Sequence, residues 1–372
     1  MRTIMAPAPG MLDAYESVIS FVGTRMSASA SSARPTSLFR EREGVWPNTL
    51  VLAWTGAGWL ASFGLMAATG WALPAMGVLL CAHTMILAAY LIHEAAHYTL
   101  FSSPRINRWA GEAMSFIAGA SYASFDRIRH LHIRHHRDRA DVTCFDFKGL
   151  MQRRPSVRRL LQALEWACIP ATEILMHLQV VWRPFFVPAQ RRHLPRSAAM
   201  LVLRLSLLGL LAAWSVKALA LYALAYVLLL HVLNFFDAFH HTFDQFFVAE
   251  DEPVPMDGRD RAYEQAHTYS NLVSMRFPVL NLLTLNFGYH NAHHERAAVP
   301  WWRLPALHRE LYDERALNVM PLAELLRTWH RNRVKRVVAD HYGTPETGAP
   351  QAGARRADAF VGAHGVSFLT VV

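Results

Sequence analysis

Four stretches of this chain are apolar for long enough to cross a bilayer. A membrane-spanning helix needs about 20 apolar residues to cover roughly 30 Å of hydrocarbon. Residues 48–70 and 72–92 meet that requirement, and only the Gly70-Trp71 junction and Pro74 interrupt them, which predicts a hairpin with a very short turn. Residues 198–215, broken by Arg204, and residues 218–236 form a second pair, with Lys217 at the turn. Two weaker stretches do not qualify. Residues 109–125 carry Glu112, and residues 166–187 carry Glu173, His177 and Arg183, so both are read as interfacial or re-entrant helices. The pattern predicts an all-α integral membrane protein with about four transmembrane helices in two hairpins. With that topology the N-terminus, residues 93–197 and everything after 237 lie on one side. The expected division is a disordered lead-in over 1–45, a membrane domain over 46–340 and a flexible tail over 341–372. The lead-in is Ser/Ala-rich from Met26 to Ser37, the tail is Gly/Ala-rich, and no secretory signal is evident.

Composition and charge agree with a membrane setting. Hydrophobic residues make up 53% and charged ones 17%, against roughly 25% charged in a soluble protein. The net charge of +9 suits anionic lipid headgroups or nucleic acid. Neither zinc-finger spacing nor an RNA-recognition aromatic signature is present, which excludes nucleic acid as a partner. Between the second and third spans lie Arg127, Arg129, Arg134, Arg137, Arg139, Lys148, Arg153, Arg154, Arg158 and Arg159, whereas Lys217 alone marks the inter-span turns. The positive-inside tendency makes the basic side cytoplasmic, with both termini there. Cys81, Cys144 and Cys168 are too widely spaced to imply a disulfide framework.

Histidine is the anomaly, with 20 residues that fall in groups. His93-Glu94-Ala95-Ala96-His97 ends the second span, and its i, i+4 spacing puts both rings on one helix face. His132-Ile133-Arg134-His135-His136 offers three imidazoles over one turn, and His290-Asn291-Ala292-His293-His294 repeats that spacing. By the topology above, all three groups meet on the cytoplasmic side. A lone histidine near an interface is usually structural, but three such groups without a metal would be a costly polar cluster beside a membrane. One zinc site uses three or four ligands, so this many imidazoles suggest two metals. Imidazole suits iron, zinc and copper, and ligand type does not choose among them.

The three motifs and the paired spans resemble the membrane-bound fatty acid desaturase and hydroxylase superfamily. That resemblance implies a cytoplasmic helical cap holding two iron ions, with His93, His97, His132, His135, His136, His290, His293 and His294 as ligands. The family often recruits one more ligand after the last span, where Asn234-Phe235-Phe236-Asp237-Ala238-Phe239-His240-His241 stands here. Spacing favours His241 as that ligand, with Asp237, His240 and Asn286 as candidates for supporting the ligands from behind. Asp126, Asp138, Asp141 and Glu295 could accept a ligand's far N–H, though charge balancing beside the arginines is the commoner role for such residues, and His130 and His267, outside the pattern, are read as supporting or surface residues. The resemblance implies O2-dependent hydrogen abstraction from an unactivated acyl chain bound as acyl-lipid, acyl-CoA or acyl-carrier. Membrane lipids and a separate electron donor, such as ferredoxin or a small haem cytochrome with its reductase, complete the implied partners. The run 283–289 into the third motif, followed by Pro300-Trp301-Trp302, is similar to bacterial stand-alone desaturases, which implies a multi-pass protein of the bacterial inner membrane.

Other readings stay open. Fatty acyl or alkyl hydroxylation and alkene-forming oxidative decarboxylation use the same scaffold, and the outcome depends on where the target carbon sits. His93-Glu94-Ala95-Ala96-His97 also fits H-E-x-x-H, the signature of a zinc protease, but that reading leaves the other two groups unexplained.

Overall fold

The computed structural model describes residues 37–143, 145–243, 246–248, 258–312, 318–339, 357 and 359–363. The chain divides into Met1–Leu38, almost all of it outside the described residues, and Phe39–Val372, which carries every element below. Most of the expected lead-in and tail, and Cys144, thus lie outside the described residues.

In chain order the elements begin with α1 (Val45–Ala67), α2 (Ala72–Ala96), α3 (Pro104–Ala118) and α4 (Phe125–Asp138). A short strand β1 (Asp141–Thr143) precedes α5 (Phe147–Arg153), α6 (Pro155–Trp166) and α7 (Ala171–Phe186). After a 3-10 turn, Pro188–His193, come α8 (Leu194–Trp214) and α9 (Val216–His240), then β2 (Phe246–Val248), α10 (Arg261–Ala266) and β3 (Ser270–Leu272). A second 3-10 turn, Pro278–Thr284, leads to α11 (His290–Glu295), α12 (Leu304–Leu311), β4 (Val319–Pro321) and α13 (Leu322–Arg336). Among the described residues the strands pair as two short parallel ladders, β1 with β2 and β3 with β4.

Among the described residues four helices are long and apolar enough to span a membrane: α1, α2, α9, and α8 together with its preceding 3-10 turn. They form the two hairpins expected from the hydrophobic runs. Both α2 and α9 run further than the apolar pattern, to Ala96 and His240, because backbone hydrogen bonding continues past the hydrocarbon into polar sequence. The weak segments become α3 and α7, both too short to cross, and α7 contains Pro184.

Helix α2 is the centre of the bundle, packed by α1, α3 and α9 and buried along most of its length. Lipid tails are as apolar as leucine, so helix association in a membrane depends on close packing of small residues. Ala82, Ala88 and Ala89 supply that on α2. At Gly77 a β-carbon would stand 2.8 Å from the backbone nitrogen of Met66, so the α1–α2 contact leaves no room for a side chain. Outward-facing Leu50, Leu60, Val202, Leu205, Leu210 and Leu224 sit on α1, α8 and α9, as lipid contact requires. A charge inside a span costs roughly 2.5–3.5 kcal/mol at its centre. Arg204 offsets this by donating to the Phe116 carbonyl at the end of α3 and lying 4.2 Å over the Phe116 ring.

Within the tail, Ala357 and residues 359–363 are packed against the body. Phe360 is fully buried beside Phe239 and Tyr269, the Ala363 amide donates to the Ala238 carbonyl at 2.7 Å, and Arg336 holds the Val361 carbonyl at 2.7 Å. This strap closes over the end of α9.

Candidate metal centre

Three helix ends and one extended residue bring the histidines together. Helix α2 presents His93 and ends with His97 as its cap, and Arg129 on α4 donates to the Ala96 carbonyl at 3.0 Å. Helix α4 starts at Ser124, whose hydroxyl accepts the Arg127 amide, and carries His132, His135 and His136. Helix α11 is fixed by the asparagine inside its motif. Asn291 donates to the Thr268 carbonyl at 2.6 Å and accepts from the Ser270 hydroxyl at 2.9 Å. Gly288 just before it lies so near β3 that a β-carbon would stand 2.3 Å from the Asn271 carbonyl oxygen. His241 follows α9 in extended backbone and bridges Thr268, with the Thr242 amide on the His267 carbonyl at 2.9 Å.

The ring nitrogens face one another. The Nε2 of His132 lies 2.7 Å from that of His97 and 3.2 Å from that of His136. The Nε2 of His293 lies 3.2 Å from that of His136 and 3.0 Å from that of His93. An imidazole Nε2 carries either one N–H or one lone pair, so it completes one hydrogen bond. His132, His136 and His293 each face two others, and hydrogen bonding alone cannot satisfy the chain. A cation at their common focus satisfies every lone pair at once. The donor atoms of His93, His97, His132, His136 and His293 all lie within 4.8 Å of one another, and those of His135, His241 and His294 meet the same limit. Two nitrogens bound at about 2.0–2.1 Å to one ion stand about 3–4 Å apart, so each group needs little contraction. His290 joins the second group through its Nε2, 2.9 Å from that of His241. His136 also groups with His294 and Glu264, so the two sets share an edge. An imidazole set of this kind fits iron, zinc or copper.

Three of the far nitrogens, on His135, His241 and His294, have partners that place the proton on Nδ1 and leave Nε2 free to bind. His294 Nδ1 donates to Glu264 at 2.9 Å, His135 Nδ1 to the Ala140 carbonyl at 2.9 Å, and His241 Nδ1 meets the Thr268 hydroxyl at 3.3 Å. Glu264 is held in turn by Arg139 at 3.1 Å. Burial pushes its carboxyl up, but the His294 and Arg139 contacts outweigh that and keep it below its usual range. Burial first, and then repulsion among neighbouring rings, holds His97, His132, His136, His241, His290 and His293 well below the usual imidazole range. Burial drives His135 down to about 3. These rings stay neutral at ordinary pH, as metal ligation demands.

The remaining expected residues are placed as follows. His240 stacks on His290 with ring centroids 4.0 Å apart, and Asn286 donates to the Trp301 carbonyl at 3.2 Å. Asp237 is half-buried one turn before His241. Asp141 lies 3.6 Å from His135 Nδ1, and burial pushes its carboxyl up to about 8. Asp126 pairs instead with Arg108, Asp138 with Arg134 and Arg137, and Glu295 with Arg261. His130 is exposed, and His267 stacks on Tyr263 at 4.1 Å. Glu94 accepts from the Thr99 hydroxyl at 2.6 Å and the Trp301 amide at 3.1 Å, a bracket that ties the end of α2 to the α11–α12 segment. Glu264 and Thr268 were not legible as site residues, since they lie outside every motif.

The molecule is thus a multi-pass membrane protein carrying two adjoining histidine groups on the polar ends of its spans. The fatty acid desaturase family profile matches residues 69–325, which takes in all three motifs and α9. The chain belongs to the fatty acid desaturase family. It is 32% identical over 247 residues to the sphingolipid delta(4)-desaturase DES1 of Rattus norvegicus, covering 62% of this chain and 63% of that protein. It is 30% identical over 244 residues to the DES1 of Xenopus tropicalis, again covering 62% and 63%. The chain thus spans less than two thirds of the length of these relatives.

Proposed function

We propose that this protein is an O2-dependent lipid desaturase that takes hydrogens from an unactivated acyl chain at a pair of iron ions. The observation that carries the reading is the convergence of Nε2 atoms into two adjoining groups, which hydrogen bonding cannot satisfy. His93, His97, His132, His136 and His293 would hold one ion, and His135, His241, His290 and His294 the other. Iron bound there would supply O2 activation and hydrogen abstraction. The chain's own part is to hold the rings neutral, fix the protons of His294, His135 and His241 at Nδ1 through Glu264, Ala140 and Thr268, and keep water out. Exclusion of water is supported by the burial of His93, His290, His293 and His294 and by Phe287, whose ring packs on His93 and His290.

The basic residues around α4–α6 support a cytoplasmic site; the bacterial inner membrane and a separate donor such as ferredoxin or a small haem cytochrome belong to the reading through the resemblance alone. The substrate, as acyl-lipid, acyl-CoA or acyl-carrier, enters this reading through the family and through its sphingolipid-desaturating relatives. Hydroxylation or oxidative decarboxylation uses the same atoms with different substrate placement. A zinc protease is disfavoured because Glu94, which would be its base, is occupied by Thr99 and Trp301. Expression in a host that lacks the activity, followed by lipid profiling and metal analysis, tests the proposal. New double bonds together with two irons per chain are expected. One zinc per chain with no iron would refute it.

A further inference from the structure

The chain between β3 and α11 carries a run of large apolar side chains that no described element covers. Met275, Phe277, Val279, Leu280, Leu282 and Leu283 are all exposed, Val279 at 67%. Single exposed leucines are ordinary, whereas an unbroken apolar patch marks contact with something apolar. The run is far too short to cross a bilayer, which takes about 20 residues.

Its place along α2 fixes its depth. The second 3-10 turn packs against α2, with the Leu283 backbone against the His83 ring. Four residues later Phe287 stacks on Tyr90 at 4.4 Å and meets His93 at 4.9 Å. Residues 283–287 therefore climb one face of α2 from its middle to its metal-bearing end. His83 stands about 15 Å below His93 along the helix axis, at 1.5 Å per residue. That is hydrocarbon level, not the level of the cap helices. Met76 and Leu79 lie on the same face of α2 as His83 and are exposed too, so the patch adjoins a surface that already faces lipid.

The backbone of this segment is prepared for such a setting, where unpaired polar groups are costly. Asn281, fully buried, donates to the Ser274 carbonyl at 2.9 Å and the Pro278 carbonyl at 3.2 Å, and accepts from the Ser274 amide at 3.3 Å. The Leu280, Leu285 and Asn286 amides donate to the Phe277, Leu282 and Asn281 carbonyls. Leu285 and Asn286, both in left-handed backbone, then turn the chain back towards the rings. Arg276, at the entry, lies 5.1 Å over the Phe277 ring, and its long stem can carry the charge to the headgroups.

We propose that residues 275–283 form a re-entrant hook, packed on α2 by one face and inserted by the other into the acyl chains of the leaflet on the metal-site side. Its occupant is lipid hydrocarbon rather than protein, because the outward side chains are apolar and lack the polar rim of a protein interface. The bilayer thereby steadies the chain that leads into the third motif. The proposal rests on the spans and not on the desaturase reading, and its test reads the membrane rather than turnover.

Unmodified full-length protein is placed in nanodiscs of phosphatidylcholine that carries a diazirine midway along one acyl chain. Irradiation should label residues 275–283 as it labels the outward face of α8. Labelling of α8 without the hook overturns the proposal. Nitroxides at Val279→Cys and Leu282→Cys, with Cys81, Cys144 and Cys168 replaced by alanine, give depth directly. Their collision with O2 relative to a water-soluble nickel chelate should match a nitroxide at Leu205→Cys on α8, and exceed several-fold one at Glu310→Cys on the cap. A ratio like that at Glu310→Cys overturns the hook. Exclusion of both collision agents also overturns it, since protein would then cover the patch, and spectral broadening between labels would identify that protein as a second copy.

Discussion

Replacing Glu264 by glutamine keeps the side chain's size and removes its charge. The two oxygens of Glu264 accept at once from His294 Nδ1 at 2.9 Å and Arg139 Nε at 3.1 Å. A glutamine amide has one accepting and one donating end, so one contact becomes donor against donor. If the oxygen turns to His294, Arg139 faces an NH2 group. If it turns to Arg139, His294 must carry its proton on Nε2, the atom needed for the metal. Either branch loses a charge-assisted hydrogen bond worth about 1.5–3 kcal/mol. Loss of such an outer partner typically lowers metal affinity 10–100-fold, or about 1.4–2.7 kcal/mol, and the two figures agree. The assay is anaerobic loading with Fe(II), then chelator titration with the metal counted per chain. Release should occur in two steps in the wild type. In Glu264→Gln the step belonging to the His135–His241–His294 group should come at 10–100-fold lower chelator, while the five-histidine group is little changed. Two unshifted steps would refute the role given to Glu264.

Three further outcomes are expected. The depressed imidazoles of His97, His132, His136, His290 and His293 make the metal-free protein acid-sensitive. The unfolded chain takes up protons near about pH 6.5 and the folded chain does not, so stability is full above that pH and is lost progressively as pH falls below it towards the depressed folded-state values. A Tm that stays flat in chelator-treated protein between about pH 7.5 and about 5.5 would contradict this. Arg333→Met leaves Glu165 buried without its cation, whose Nη2 now donates to it at 3.1 Å. The loss should be about 3–5 kcal/mol, with recovery in the Glu165→Gln, Arg333→Met double variant. Gly288→Ala forces a β-carbon against the Asn271 carbonyl, and should lower metal content by displacing α11 while leaving expression of the spans detectable. Full metal occupancy in that variant would show that α11 tolerates the shift.

The membrane architecture was legible because the length of an apolar run is a direct measure of hydrocarbon thickness. The helix ends were less so. Both α2 and α9 continue as helix into residues chosen for chemistry, and hydropathy falls before the backbone does. The histidine motifs were legible because i, i+3 and i+4 spacing is local. Which group each ring joins was not. His132 and His136 lie one turn apart and face the same focus, whereas His135 is rotated about 100° from His136 and faces the other. Asp126, Asp138 and Glu295 take the charge-balancing role instead, pairing with arginines, Asp138 within the protein and the other two nearer its surface. Glu264 is remote from the motifs, and only the folding of α10 against α11 brings it to His294. The resemblance to the desaturase superfamily was carried by the same three motifs that the family profile covers. His241 was singled out over His240 by spacing from Asp237, and the chain's turn out of α9 is what delivers its ring.

The rings that converge come from points far apart in the order of synthesis. His93 and His97 leave the ribosome first, and His290, His293 and His294 last. At about 5–20 residues per second, on the order of 10–40 s separates the first motif from the third. For about the first 2–7 s of that interval, until His132 follows, the earliest pair stands alone at the end of a finished membrane hairpin, able to hold an ion by two bonds only. Two-bond capture is weak and reversible, so a wrong metal caught early can still leave. Commitment comes when α11 is pinned by Asn291 and closes the ring, which makes the arrival of the third motif the step that decides what the protein keeps.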